Sequence, residues 1–365
     1  MLSNKMEKLI MIKKKQIIEN CLIVFVFLAF SFHLKAQKDT LRSNWMVGKW
    51  GIMVHWIAPG PAPAKGPWIK DLNTAVNNFN LNRFLSQVKE SGADYLVFTI
   101  GQNTGYYTSP NATLDSLVGY GHCSKRDLVL EIAEGIHHQR KRFIAYLPGE
   151  IMESKSLHKG FGWNAENQNT FQYRYTDFIR CYSLKFGKLL DGWWFDGCYN
   201  LWAAYYIPRD WKLWTSAARA GNTDAVVAYN DGSFYVGSLL PIAPYPYQDY
   251  LSGECWKFWQ NKIVVGHEEP TFTTLPSSRF VKGTQCQFHV MLPIDCNKDW
   301  MHDTPGKMPP PSYTDNELFP AVLNVLKVGG TVTLNVGIYQ EGYISSQTLD
   351  QLKRLNKYIK NALYK

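Results

Sequence analysis

The chain has 365 residues, 45% of them hydrophobic, and a formal net charge of +9. That length allows one large domain or two small ones, and the apolar share is enough for a sizeable core. The charge excess is modest and spread out, with no basic run interleaved with aromatics, so nucleic acid is not an expected partner.

Residues 1–36 stand apart from the rest. Lys13, Lys14 and Lys15 precede an apolar run from Cys21 to Phe32, and Ala36 closes the segment. This is the order of a cleavable secretory signal. The run is short for a membrane-spanning helix, so no stable membrane insertion is expected after cleavage. Cleavage after Ala36 would leave Gln37 first. The segment holds six Lys and two Glu, so the remainder, residues 37–365, carries +5. The expected location is secreted or periplasmic. Six Cys remain, at 123, 181, 198, 255, 286 and 296, with neither a CxxC pair nor zinc-like spacing. Export permits disulfides, but the sequence does not choose a pairing.

Residues 49–56, KWGIMVHW, form a first expected strand, with His55 and Trp56 at its carboxyl end. A Pro- and Gly-rich loop follows over 59–67. Helical spacing runs through 80–91, where Leu81, Phe84, Leu85 and Val88 share a face and Gly92 is the stop. Residues 95–100 form a second strand, ending in Gly101-Gln102-Asn103. A helix is expected over 125–139 and a third strand over 142–147, ending in Pro148-Gly149-Glu150. A long helix over 167–187 leads into Asp191-Gly192-Trp193-Trp194-Phe195-Asp196-Gly197. Trp193, Trp194 and Phe195 are of the kind a strand buries. Asp196 cannot join that core unpaired, because an isolated buried carboxylate is costly. It belongs at the strand's end, with Gly197 letting the chain turn.

Beyond Asp196 the rhythm loosens. A helix over 211–220, a strand over 225–229 and a loop-rich stretch over 233–283 precede a strand over 285–292. A helix over 315–328, a strand over 330–336 and a helix over 346–362 close the chain. Strands alternating with helices predict a parallel sheet with helical crossovers. The expected fold is α/β: a single-domain (β/α)8 TIM-like barrel over 37–365. A doubly wound sheet is the runner-up, but no glycine-rich phosphate loop follows the first strand.

With these elements placed, the chain resembles the α-L-fucosidases of glycoside hydrolase family 29. The resemblance rests on KWGIMVHW, GADYLVFT, RDLVLEIAEG, DGWWFDG and VLNVLKVGGTVTLNVGIYQEGYI, and spans about residues 45–360. The first and fourth segments are the specific ones. It implies a retaining exo-glycosidase that removes a terminal α-L-fucose or similar sugar from an oligosaccharide or glycoconjugate. Asp196 then matches the nucleophile and His55 a sugar-hydroxyl ligand. The family usually has a His-His pair where this chain has Gln102-Asn103, and its carboxyl-terminal β-sandwich has no counterpart here. The replaced pair motivates the alternative of a sugar-binding barrel without catalysis.

Retaining hydrolysis needs a second carboxyl as acid/base. Glu254, in Ser-Gly-Glu-Cys-Trp, has Trp256 nearby as a possible apolar wall, and is preferred to Glu268, Glu269 and Glu150. Further candidates for substrate binding are Trp56, Gln102, Asn103, Tyr146, Trp194 and His289. Amides at 102 and 103 can both donate to and accept from ring hydroxyls. No cofactor is expected. Asp295, Asp299, His302 and Asp303 cluster in one loop, but their spacing is too irregular for a metal site. The oligomeric state is not legible.

Overall fold

The computed structural model describes residues 41–198, 209–230, 246–255, 278–281 and 283–363, together with the backbone of three strands between 257 and 274. The expected leader at 1–36 lies outside the described residues, as do Glu268 and Glu269. Residues 45–365 form the larger of two units.

The larger unit is built on β1 (Trp50–Val54), β2 (Tyr95–Thr99), β3 (Arg142–Pro148), β4 (Gly192–Asp196) and β5 (Val226–Tyr229). A small antiparallel sheet follows, made of β6 (Lys257–Trp259), β7 (Lys262–Val265) and β8 (Thr271–Thr274). Last come β9 (His289–Pro293) and β10 (Thr331–Asn335). The main sheet has 7 strands in the order β5-β4-β3-β2-β1-β10-β9, every pair parallel. Helices lie between successive strands: α1 (Leu72–Asn77) and α2 (Leu81–Ser91), α3 (Ala112–Val118) and α4 (Leu128–His138), α5 (Lys155–Phe161) and α6 (Asn169–Phe186), and α7 (Trp211–Ala218). The carboxyl-terminal part adds α8 (Asp315–Lys327) and α9 (Ser346–Leu363).

Local chemistry sets the helix ends. Asp71, Asn80, Asn111, Asp127 and Asp210 each accept from a backbone N–H of the first turn of the helix they precede. Thr314 and Glu317 form a reciprocal capping box at α8.

The strands are buried on both faces, as parallel strands covered by helices are. The two faces carry different cores. Trp193 and Phe195 pack outward with the helices, whereas Trp194 packs inward with Met53, Tyr95, Val97, Ile144, Tyr146 and Met291. Side chains alternate along a strand, so Asp196 shares the inner face with Trp194.

Two expectations are corrected here. The stretch 257–274, expected to be loop, contains the antiparallel sheet; its β-branched and aromatic residues outweigh the flanking prolines. Among the described residues no eighth strand joins the main sheet. Residues 249–255 occupy the interval between the edge strands as isolated bridges: Asp249 N donates to Val227 O at 2.9 Å, Leu251 N to Gln287 O at 3.0 Å, and Cys255 N to Met291 O at 2.8 Å. Gly253 allows this course. Its φ is +73°, and a Cβ there would meet His289 O at 2.4 Å.

Candidate active site

A cavity of about 300 Å³ opens where the parallel strands end. Its lining includes His55, Gln102, Asn103, Glu150, Trp194, Asp196 and Glu254. That volume is at the low end of small-molecule clefts, roughly 300–1,000 Å³.

Asp196 is held by donors on both oxygens. Oδ1 accepts from Gly197 N at 2.8 Å and from Asn230 Nδ2 at 2.8 Å. Oδ2 accepts from the Tyr146 hydroxyl and, at 3.4 Å, from Gln102 Nε2. Tyr146 is fixed in turn by stacking on Trp194, with ring centroids 5.1 Å apart. The φ of Gly197 is +65°, and a Cβ there would come within 2.9 Å of the Glu150 side chain, so the turn after the carboxylate needs glycine.

Glu254 enters from the segment beside β9 and is 6% exposed. The Asn230 amide that serves Asp196 also donates to Glu254 Oε2 at 2.6 Å. The two carboxylate oxygens it joins are therefore no more than 5.4 Å apart. Sequence reasoning missed Asn230. Its position directly after β5, level with the end of β4, was the available clue.

His55 is buried and its pKa is lowered, chiefly by desolvation. Its Nδ1 lies 2.7 Å from Asn335 Oδ1. Asn335 uses its Nδ2 to donate to Trp300 O at 2.9 Å, so the amide presents its oxygen to the ring. Nδ1 then carries the imidazole proton, and Nε2 is left as an acceptor at the cavity wall.

Two expected ligands are turned away. Trp56 is fully buried behind β1, packed on Phe79, with its Nε1 donating to Gln340 O at 3.0 Å. Adjacent residues of an extended chain face opposite sides, and His55 takes the inner one. His289 sits one layer below the cavity. Its Nδ1 is 2.9 Å from Leu251 O and its Nε2 is 2.7 Å from Thr333 Oγ1, and burial lowers its pKa to about 4. Met291, two residues on, reaches the cavity instead. Trp300 also lines the cavity, beside His55 at 5.8 Å, and had not been anticipated. Asn103 lines it too, with its carbonyl accepting from Ser154 Oγ at 2.8 Å.

Among the described residues no group of three His, Cys, Asp or Glu could hold a metal ion, and no helix is long and apolar enough to cross a membrane. Asp295 is a buried carboxyl outside the cavity. It accepts from Gly337 N and Thr348 Oγ1, tying the end of β9 to α9. Among the described residues, which include Cys123, Cys181, Cys198, Cys255, Cys286 and Cys296, no disulfide is formed.

Burial raises the Glu150 pKa from 4.5 to about 6, with Asp196 adding to the shift and the Met152 amide and Arg209 opposing it. The folded state then binds a proton that the unfolded chain releases, so this contribution to stability is lost as pH rises from about 4.5 through about 6. Glu150→Gln carries no such charge. Its stability relative to the parent chain should rise between pH 5 and pH 7, by on the order of 1–2 kcal/mol. Melting both proteins at the two pH values checks this; a difference independent of pH would contradict it.

No family model and no curated protein matches the sequence. The fold, however, is similar to solved glycoside hydrolases. An endo-fucoidan hydrolase of glycoside hydrolase family 107 superposes with TM-score 0.65 at 16% identity, over 88% of this chain and 54% of that one. α-L-Fucosidase isoenzyme 1 from Paenibacillus thiaminolyticus gives 0.56 at 16% identity, over 88% and 76%. A family 29 fucosidase from Ruminococcus gnavus, solved in complex with fucose, gives 0.58 at 14%, over 90% and 68%. The chain thus spans about half the length of the first of these structures. Among the structures it resembles are both fucoidan hydrolases and α-L-fucosidases, and at these identities the likeness is one of fold.

Proposed function

We propose that the chain is a retaining glycoside hydrolase that removes a terminal α-L-fucose or similar sugar, with Asp196 as nucleophile and Glu254 as acid/base. One observation carries this reading: Asn230 Nδ2 bridges one oxygen of each carboxylate, Asp196 Oδ1 and Glu254 Oε2, which lie at most 5.4 Å apart. Retaining enzymes hold their carboxyl groups about 5–5.5 Å apart, whereas inverting ones leave about 6.5–9.5 Å for a water. The fold shared with fucose-active enzymes supports the same sugar class. The reading takes the curled sheet as a (β/α)8 barrel completed by residues 249–255.

In the first step Asp196 attacks the anomeric carbon while Glu254 gives its proton to the leaving oxygen. In the second, Glu254 takes a proton from water, which attacks the same carbon and frees Asp196. Tyr146, Gln102 and Asn230 keep the nucleophile aimed. The Nε2 of His55 accepts from a ring hydroxyl, and Asn103 supplies a further polar contact. Trp194 and Trp300 supply apolar surface for the sugar ring.

A panel of aryl glycosides tests the reading. Release from the α-L-fucoside is expected, with the first-formed sugar in the α configuration. A β product would overturn the double displacement. Binding without release from any glycoside would favour the sugar-binding alternative, which the Gln102-Asn103 replacement motivates.

We also propose export, on the strength of residues 13–36. Amino-terminal sequencing of protein from the native host should find Gln37 at or near the start; an intact run from Lys13 to Phe32 would rule cleavage out.

A further inference from the structure

We propose that Glu150 grips the bound sugar, and that the acidic cavity it completes selects uncharged and amine-bearing sugars over sulfated or carboxylated ones. The inference rests on the reading that the cavity holds a terminal sugar unit.

Five carboxyl groups line the cavity: Glu150, Glu153, Asp196, Glu254 and Asp299. Among the described residues no Lys or Arg lines it. The stretches that follow the ends bearing Asp196 and Asn230, residues 199–208 and 231–245, contain no Lys or Arg in their sequence. Residues 256–277, after Glu254, hold Lys257 and Lys262 against Glu268 and Glu269. A chain whose residues 37–365 carry a formal +5 has thus gathered negative charge at this cavity. Arg209 is the nearby cation. It sits behind the cavity, its Nη2 donating to Gly149 O at 2.7 Å and to Gly197 O at 3.1 Å.

Glu150 is the independent sign that a ligand belongs here. It is 8% exposed, and its Oε2 accepts from Met152 N. No hydrogen bond reaches its Oε1 among the described residues, although the side chain lines the cavity. Oε1 keeps access to the cavity, so a ligand that covers it must bring a donor, because a buried oxygen left unmatched is costly. A sugar hydroxyl or an ammonium is such a donor; a sulfate or carboxylate is not, and would add like charge to a partly dehydrated site. The burial that raises the Glu150 pKa to about 6 is the same desolvation.

The test measures dissociation constants of the full chain at low salt for L-fucose, its monosulfates and an amino-deoxy-L-fucose, and for the matching galactose series. The amine should bind tightest. The sulfate esters should bind at least about tenfold weaker than the parent sugar, as like-charge juxtaposition dictates. That gap should narrow as salt is added. Glu150→Ala should weaken the parent sugar at least about tenfold, through the lost acceptor. Glu150→Gln keeps the shape: its oxygen goes to the Met152 amide and its NH₂ faces the cavity, where a sugar hydroxyl can accept, so it should hold the parent sugar while narrowing the gap to the sulfates. Sulfates that bind the unmodified chain as tightly as the parent sugar, or a gap unchanged in Glu150→Gln, would overturn the proposal. So would a cavity that takes neither the neutral nor the amine-bearing members. If galactose binds in this charge order and L-fucose does not, the fucose assignment fails while the selection by charge stands.

Discussion

Asp196→Asn is expected to lower turnover of an aryl α-L-fucoside at least ~10³-fold below the unmodified chain, because under the proposed mechanism an amide cannot replace the attacking carboxylate. The substitution keeps the shape, so the effect on the fold is smaller and local. Among the described residues, four donors now converge on the two oxygens of Asp196. The new amide must turn its NH₂ toward one pair. Gly197 N and Asn230 Nδ2, which also serves Glu254, can only donate, whereas the Tyr146 hydroxyl can rotate to accept. The NH₂ therefore faces Tyr146, and the cost is of the order of one mismatched buried hydrogen bond, about 1–3 kcal/mol. Initial rates on the fucoside, with a thermal melt of the same sample, read the two effects separately. A variant that turns over at the normal rate removes Asp196 from the role of nucleophile. A variant that is inactive because it is unfolded is recognised by its melt and says nothing against the chemistry.

Glu254→Ala should affect poor leaving groups most. Under the proposed mechanism a sugar leaving group needs the proton that Glu254 would supply, and an activated nitrophenolate hardly does. Natural glycosides should slow by on the order of 10²–10⁴, the usual contribution of general acid catalysis. Formation of the glycosyl-Asp196 intermediate from the activated substrate should change much less. Its hydrolysis should then limit the rate, because no base remains to activate water. Azide needs no such base, so it should restore the second step and yield a glycosyl azide with retained configuration. Glu268→Ala, Glu269→Ala and Glu150→Ala are the comparisons. If one of these shows the leaving-group dependence and Glu254→Ala does not, the acid/base lies there. Asn230 frames the expectation: its amide lies 2.6 Å from Glu254 Oε2 and 2.8 Å from Asp196 Oδ1, so removing the glutamate frees a donor beside the nucleophile.

What could be read along the chain was what local chemistry decides. The strand and helix order follows from runs such as Gly192–Asp196 and from cap residues such as Asn80 and Asp127, whose effects span a few positions. Asp196 was legible for the same reason: aromatic neighbours demand burial, the carboxylate refuses it, and the strand end reconciles the two. The inward His55 and outward Trp56 were separable in principle by strand alternation, although both had been expected at the site.

The remaining features depended on which distant segments meet. Asn230, 34 residues beyond Asp196, becomes the bridge between the carboxylates only because β5 pairs in register with β4. Glu254 reaches the cavity because residues 249–255 lie against β9, and that pairing leaves no mark in the hydrophobic pattern of a segment that never becomes a regular strand. His289 looked able to reach the mouth, but the stagger of β9 against β10 puts it opposite Thr331, a layer too deep, where its Nε2 meets Thr333. Trp300 comes to His55 across 245 positions of sequence. The sequence of this protein thus determined where a carboxylate had to surface, through the cost of burying charge. Which groups stand around that carboxylate was decided by strand register and by the depth at which each strand enters the sheet, and these are set by long-range packing.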